Sequence, residues 1–103
     1  MALMQITVIP LGTSGASVGR YVAGLHAALT EWGVACTLTD MGTIVAGPAD
    51  ELFALASRLH AEAMRQGLTR VVTQVQVDDR RDKVVGLGDK QRAVLDHLHA
   101  GGR

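Results

Sequence analysis

Two stretches of helical periodicity, each lying between stretches of two-residue alternation, constrain this chain more than anything else in it. The sharpest alternation is Arg70 to Asp78 (RVVTQVQVD), where Val71, Thr73, Val75 and Val77 oppose Val72, Gln74 and Gln76. Successive side chains of a strand point to opposite faces, so this segment reads as a strand with two unlike sides. Leu3 to Leu11 (LMQITVIPL) reads the same way, with Met4, Ile6 and Val8 on one side and Gln5 and Thr7 on the other. Pro10 has no N–H to give a ladder and marks the end of central pairing. Val34 to Thr39 (VACTLT) alternates like a half-buried strand. Asp40-Met41-Gly42 supplies a tight turn, and Thr43 to Ala46 returns antiparallel.

Between these lie the helices. Ser17 reads as an N-cap, its hydroxyl able to accept an orphan N–H of the first turn. Val18, Tyr21, Val22, Leu25, Leu29 and Trp32 follow at helical spacing, and Gly33 closes the helix. Gly47-Pro48 opens the second helix, proline being tolerated at the first helical position. Its apolar stripe is Leu52, Leu55, Ala56, Leu59 and Ala63, and Gly67 ends it. Residues 79–88 read as a charged, glycine-containing connector. Asp89 to His99 reads as a short, weakly amphipathic helix through Val94, Leu95 and Leu98.

The order is strand, helix, strand, strand, helix, strand, with one helix appended. This is the split βαβ, or ferredoxin-like, arrangement of the α+β class. Right-handed crossovers give the spatial order four, one, three, two, all antiparallel, with both helices on one face. The chain reads as one domain over residues 1–103, its core 3–80 and its C-terminal connector and helix 81–99. At 103 residues it can bury a core without staples.

Composition then excludes several classes. Ten basic against ten acidic residues give no net charge, which removes the electrostatic warrant for nucleic acid or an anionic membrane. Tyr21, Trp32 and Phe53 are the only aromatics, too few for a base-stacking platform, so the core is expected to be aliphatic. One cysteine, Cys36, forms no intrachain disulfide and fits a reducing compartment. No Lys, Arg or His adjoins it in sequence, so it reads as a buried structural thiol. The N-terminus lacks the basic region of a signal peptide, and no apolar run approaches the ~18 residues that span a bilayer. A cytoplasmic protein is expected.

With two helices on one face, the other face of the sheet presents Gln5, Thr7, Ile9, Leu11, Val72, Gln74 and Gln76. Lys and Glu are absent from it, and a neutral, partly apolar face is better explained by burial against a second subunit. Dimerisation through this face is therefore expected. An interaction or regulatory module whose open sheet recruits another protein is the alternative.

The topology also brings the end of the first strand, the start of the first helix and the hairpin turn to one edge. Gly12 to Ser17 should there meet Asp40 to Thr43. Helix N-terminal N–H groups, the hydroxyls of Thr13, Ser14, Ser17 and Thr43, and Met41 as an apolar wall would suit a small polar ligand. Gly12-Thr13-Ser14-Gly15 is neither a P-loop, since no Gly-Lys-Ser/Thr follows, nor a dinucleotide fingerprint. His97 and His99 point about 200° apart on a helix and are poor joint ligands. His60 reads as a partly buried helix histidine rather than a base. No local nucleophile–base pair is visible, which argues against an enzyme. The dense cluster Asp78-Asp79-Arg80-Arg81-Asp82-Lys83 reads as a solvated ion-pair network at the opposite edge, ahead of a carboxylate metal site.

Five separated motifs carry a family likeness. They are Gln5-Ile6-Thr7-Val8-Ile9-Pro10-Leu11-Gly12-Thr13, Ser17-Val18-x-x-Tyr21-Val22, Leu38-Thr39-x-Met41-Gly42-Thr43, Arg70-Val71-Val72-Thr73, and the 78–83 charge cluster. Together they resemble the small thiamine-binding protein family, formerly an uncharacterised protein family, over roughly residues 3 to 85. The resemblance implies a ferredoxin-like fold, dimers pairing into homotetramers, no catalytic reaction and no cofactor. It implies binding of thiamine or its hydroxymethylpyrimidine moiety. Motif and edge geometry make Thr13, Ser14, Ser17, Met41, Gly42 and Thr43 the candidate ligand-binding residues, joined by Tyr21, the aromatic nearest this edge. Asp40 departs from the family pattern, where proline is expected. An aspartate there either starts the turn or meets a thiazolium.

Overall fold

A computed structural model describes residues 1–12, 18–82 and 88–101. The elements are β1 (Ala2–Pro10), α1 (Val18–Glu31), β2 (Thr37–Thr39), β3 (Gly42–Gly47), α2 (Ala49–Arg65), β4 (Val71–Asp79) and α3 (Asp89–Gly101). The sheet runs β2-β3-β1-β4 with every neighbouring pair antiparallel, which is the expected ferredoxin-like order. β1 lies centrally and pairs with β4 along its whole length, from Ala2 opposite Asp79 to Pro10 opposite Val71.

Alternation along β1 decides which face is the core. Ala2, Met4 and Ile6 are buried against α1 and α2, beside Val45 of β3. From the helices come Leu25, Ala28 and Leu29 of α1 and Leu52, Ala56, Leu59 and Ala63 of α2. Met4, Leu29 and Leu59 are the largest side chains fully withdrawn from water. Each buried Leu of this kind contributes about 1.5–3 kcal/mol of transfer free energy. The core is aliphatic, as the scarcity of aromatics required: Trp32 is half-buried under the Arg58 guanidinium, 3.8 Å away, and Phe53 is exposed.

Two local details differ from the sequence expectation. β2 covers only Thr37–Thr39, because the Val34 N–H turns back to the Leu29 carbonyl (2.9 Å) and completes the α1 C-cap instead of joining a ladder. Gly33, at φ +73°, makes that reversal possible. Pro48 sits at the N-cap of α2, one position before the first helical residue. Its ψ of 142° is extended, while its carbonyl already accepts the Leu52 N–H at 3.0 Å. The appended helix forms as expected; among the described residues α3 packs against no other element, so its Val94, Leu95 and Leu98 stay exposed. The Lys90–Asp78 ion pair (2.7 Å) ties its first turn to β4.

Leu3, Gln5, Thr7 and Ile9 of β1, Ile44 and Ala46 of β3, and Val72, Gln74 and Gln76 of β4 fall on the face away from α1 and α2. The uncharged stretch foreseen from the sequence therefore runs across three strands and ends at Asp78, which lies opposite Leu3 on the same face. Charge gathers at the far end of β4. Arg80 grips Asp82 through two bonds (2.7 and 3.0 Å), and Arg81 reaches Asp79 (3.3 Å). The Asp82 hydrogen bond and charge raise the Arg80 pKa, and Lys90 lowers that of Asp78 by its hydrogen bond and charge.

Candidate functional site

At the opposite end of the sheet the hairpin folds over the mouth of the helix–sheet interface. Asp40 and Met41 form a two-residue turn between Thr39 and Gly42, the last pair of the β2–β3 ladder. Thr39 organises it: its Oγ1 accepts the N–H groups of Met41 (3.2 Å) and Gly42 (3.1 Å) and donates to the Gly42 carbonyl (2.9 Å). A bond from Thr7 Oγ1 to the Met41 carbonyl (2.9 Å) pins the turn to β1. Gly42 is obligatory here. A Cβ would lie 2.9 Å from the Ile6 carbonyl oxygen and 2.7 Å from Thr7 Oγ1.

Behind the turn lies a cavity of about 250 Å³. β1 supplies Ile6 through Pro10, α1 supplies Val18, Val22, Leu25, His26 and Leu29, α2 supplies Leu59, and Leu38 to Thr43 close it. The lining explains an oddity of α1. Its apolar stripe is buried at Leu25 and Leu29 but not at Val18, because the N-terminal part of the stripe overhangs this space. Leu38 and Met41 are likewise exposed apolar groups on the rim, Met41 at 76%.

One polar cluster interrupts the apolar wall. His26 Nε2 lies 3.0 Å from Thr43 Oγ1, and its Nδ1 lies 3.7 Å from Cys36 Sγ. Thr43 is itself buried, on the helix-facing side of β3 opposite Ile6. Cys36 is half-buried and packs against the core. The sequence offered it no basic neighbour, yet the fold delivers His26 from ten residues upstream. His26 was missed because its spacing to Cys36 and Thr43 fits no local motif. Its position one after Leu25 on the α1 stripe was the available signal.

Of the residues proposed from sequence, Met41, Gly42 and Thr43 line the cavity together with Asp40. Tyr21 stands off it, its hydroxyl 3.2 Å from Arg20 Nη2. Thr13, Ser14 and Ser17 lie outside the described residues. His60 is exposed rather than partly buried, since β4 is an edge strand and leaves that flank of α2 open. Its Nδ1 meets Thr73 Oγ1 at 2.7 Å. The carboxylates of Asp78, Asp79 and Asp82 each face a cation, and among the described residues no three His, Cys, Asp or Glu side chains gather as a metal site. No helix of the described residues is long and apolar enough to cross a membrane.

The family model described as "Thiamine-binding protein" matches residues 4–95. The chain belongs to the thiamine-binding protein family. Family relatives include a UPF0045 protein from the glkA 3′ region of Staphylococcus xylosus, 37% identical and covering 99% of both chains. The UPF0045 protein YqgV of Bacillus subtilis is 38% identical over 95% of this chain and 98% of its own. Among solved structures, a hypothetical protein of Methanocaldococcus jannaschii superposes with a TM-score of 0.80 at 27% identity, over 92% of this chain and 96% of that one. A Thermotoga maritima protein provisionally named for thiamine biosynthesis or salvage shares the fold, with a TM-score of 0.76 at 17% identity over 90% and 97% of the two chains. The family match spans the β1 end, the hairpin and His26, so the cavity lies within the part that defines the family.

Proposed function

We propose that this protein binds thiamine or its hydroxymethylpyrimidine moiety in the cavity beneath the β2–β3 turn, without catalysing a reaction. The observation that carries this reading is a mostly apolar cavity of about 250 Å³ with the bonded pair His26 and Thr43 on its wall. A flat aminopyrimidine needs that combination: apolar surfaces against its ring faces and a few groups at its polar edge. Met41, with its polarisable thioether, lies where it can cover a ring face. Gly42 lets the turn approach β1, and Thr43 presents a hydroxyl. Thr13, Ser14 and Ser17, which precede α1 in sequence, and Tyr21 are the further ligand residues that the sequence proposes. Membership of the thiamine-binding family supports the ligand class.

The working unit is a homo-oligomer in the cytoplasm, a dimer through the uncharged sheet face that pairs into a tetramer. Nucleic acid and membrane are not among its partners. Titration calorimetry against thiamine, its phosphates and hydroxymethylpyrimidine tests the ligand. Saturable heat with thiamine or the pyrimidine is expected, and no heat with any of them removes the reading. Sedimentation at micromolar concentration tests assembly, where a clean monomer refutes the dimer.

A further inference from the structure

The wall of the cavity is mostly apolar, and among its polar groups the His26–Thr43 pair contains a titratable ring. We propose that His26, held by Thr43, sets which ligands the cavity accepts: neutral, it admits a cationic heterocycle; protonated, it expels one. The proposal rests on the reading of the cavity as the thiamine or pyrimidine site and assigns the discriminating group within it.

Geometry supplies the first part of the argument. His26 Nε2 and Thr43 Oγ1 are 3.0 Å apart, and both residues line the cavity. Neutral imidazole has one donor and one acceptor nitrogen, so this pair has two arrangements. With Nε2 accepting, the Thr43 hydrogen is spent and its oxygen offers lone pairs to an amino group. With Nε2 donating, the hydroxyl hydrogen is free to meet a ring nitrogen. An aminopyrimidine edge carries both kinds of group, and the pair answers either. Protonation removes the choice, because both imidazole nitrogens then donate.

Charge supplies the second part. Imidazole is the side chain that changes charge between about pH 8 and about pH 5. The ionisable groups lining the cavity with His26, or bonded to it, are Asp40 of the turn and the Cys36 thiol before β2. β1, β3 and α2 contribute only Ile6 through Pro10, Gly42, Thr43 and Leu59, and residues 13–17 carry no ionisable side chain. Asp40 is exposed at the rim, where water screens it. An imidazolium would therefore face an enclosed thiazolium across a few ångströms of mostly apolar space. At an effective dielectric of about 20 and a separation of about 6 Å, that repulsion weakens binding about a hundredfold. Neutral hydroxymethylpyrimidine escapes this penalty.

Calorimetry of the wild-type protein, His26→Gln and Thr43→Val, with thiamine and hydroxymethylpyrimidine at several values between about pH 8 and about pH 5.5, tests the assignment. Circular dichroism confirms that each variant is folded, and His26→Asn serves if the glutamine variant is not. Wild-type affinity for thiamine should fall by one to two orders of magnitude across this range, and His26→Gln should be flat by comparison. The ligand's own protonation enters both profiles equally and leaves their ratio. Thr43→Val should weaken the pyrimidine about tenfold at every pH while keeping the thiamine slope. Wild-type protein that binds thiamine with the same profile as His26→Gln overturns the role of His26 and leaves the cavity reading standing. Wild-type protein that binds neither probe at the upper end of the range overturns the cavity reading itself.

Discussion

Replacing Gly42 with alanine probes the contact that holds the hairpin over the cavity. The new Cβ would stand 2.9 Å from the Ile6 carbonyl oxygen, 2.7 Å from Thr7 Oγ1 and 3.3 Å from Gln5 Cγ. The two side chains can turn aside, although Thr7 then loses its 2.9 Å bond to the Met41 carbonyl. The Ile6 carbonyl cannot, because β1 is held by β3 on one side and β4 on the other. Gly42 also sits at φ +156°, a backbone state that side-chain-bearing residues rarely adopt. Such dihedral strain costs about 1–3 kcal/mol, and overpacking costs about the same again. One shift of the turn relieves part of both, so the total loss is about 2–4 kcal/mol. A domain of this size has about 5–15 kcal/mol to lose, and its melting point should fall by about 10–25 °C. Urea unfolding followed by circular dichroism and by the single Trp32 gives the number directly. A loss below about 1 kcal/mol refutes the claim that close approach to β1 positions the turn.

Three further outcomes follow from the same geometry. Leu29→Ala, at a side chain 1% exposed, should cost about 2.7–5 kcal/mol in the same urea assay, and a loss under about 1 kcal/mol would mean the core closes over the gap. Lys90 holds the Asp78 carboxyl below its ordinary value, so Lys90→Ala should move the Asp78 titration upward in carboxylate NMR, and an unmoved midpoint refutes the pair. Because the folded value is the lower one, this contact is complete above the unfolded pKa of about 3.9 and is lost as pH falls through the folded value, so α3 loosens from β4 only in acid. Among the described residues no Lys or Arg lines the cavity, and residues 13–17 contain none, so thiamine diphosphate should bind at least tenfold more weakly than thiamine by calorimetry; tighter diphosphate binding contradicts this lining.

The strand order, the two-helix layer and the uncharged sheet face were legible because each depends on a period. Met4 and Ile6 alternate with Gln5 and Thr7, and that alone assigns the faces of β1. The length of β2 was not legible, since Val34 to Cys36 alternate as well as Thr37 to Thr39 do. What ends the strand is a backbone bond from Val34 to Leu29, which side-chain pattern does not encode. At the site, Met41, Gly42 and Thr43 could be placed because a hairpin turn must project from the sheet edge, next to the end of β1. His26 could not, because its contacts lie 10 and 17 residues away in sequence and arise only when α1 packs onto the sheet. The approach of His26 to Cys36 was hidden for the same reason.

The sheet thus carries two unlike ends on one set of strands. At one, Asp78, Asp79, Arg80, Arg81, Asp82 and Lys90 pair among themselves and leave little net field. At the other, the apolar residues that α1 fails to bury, Val18 and Val22, and the rim residues Leu38 and Met41 surround a space that the fold does not fill. A self-sufficient domain gains stability by closing such a space, since every methylene withdrawn from water contributes about 0.8 kcal/mol. Here Gly42 lets the turn approach β1, and the Thr7–Met41 bond holds it there. An overall charge of zero is consistent with this division: ion pairs gather at the far end, and the cavity is lined mostly by apolar and uncharged polar groups.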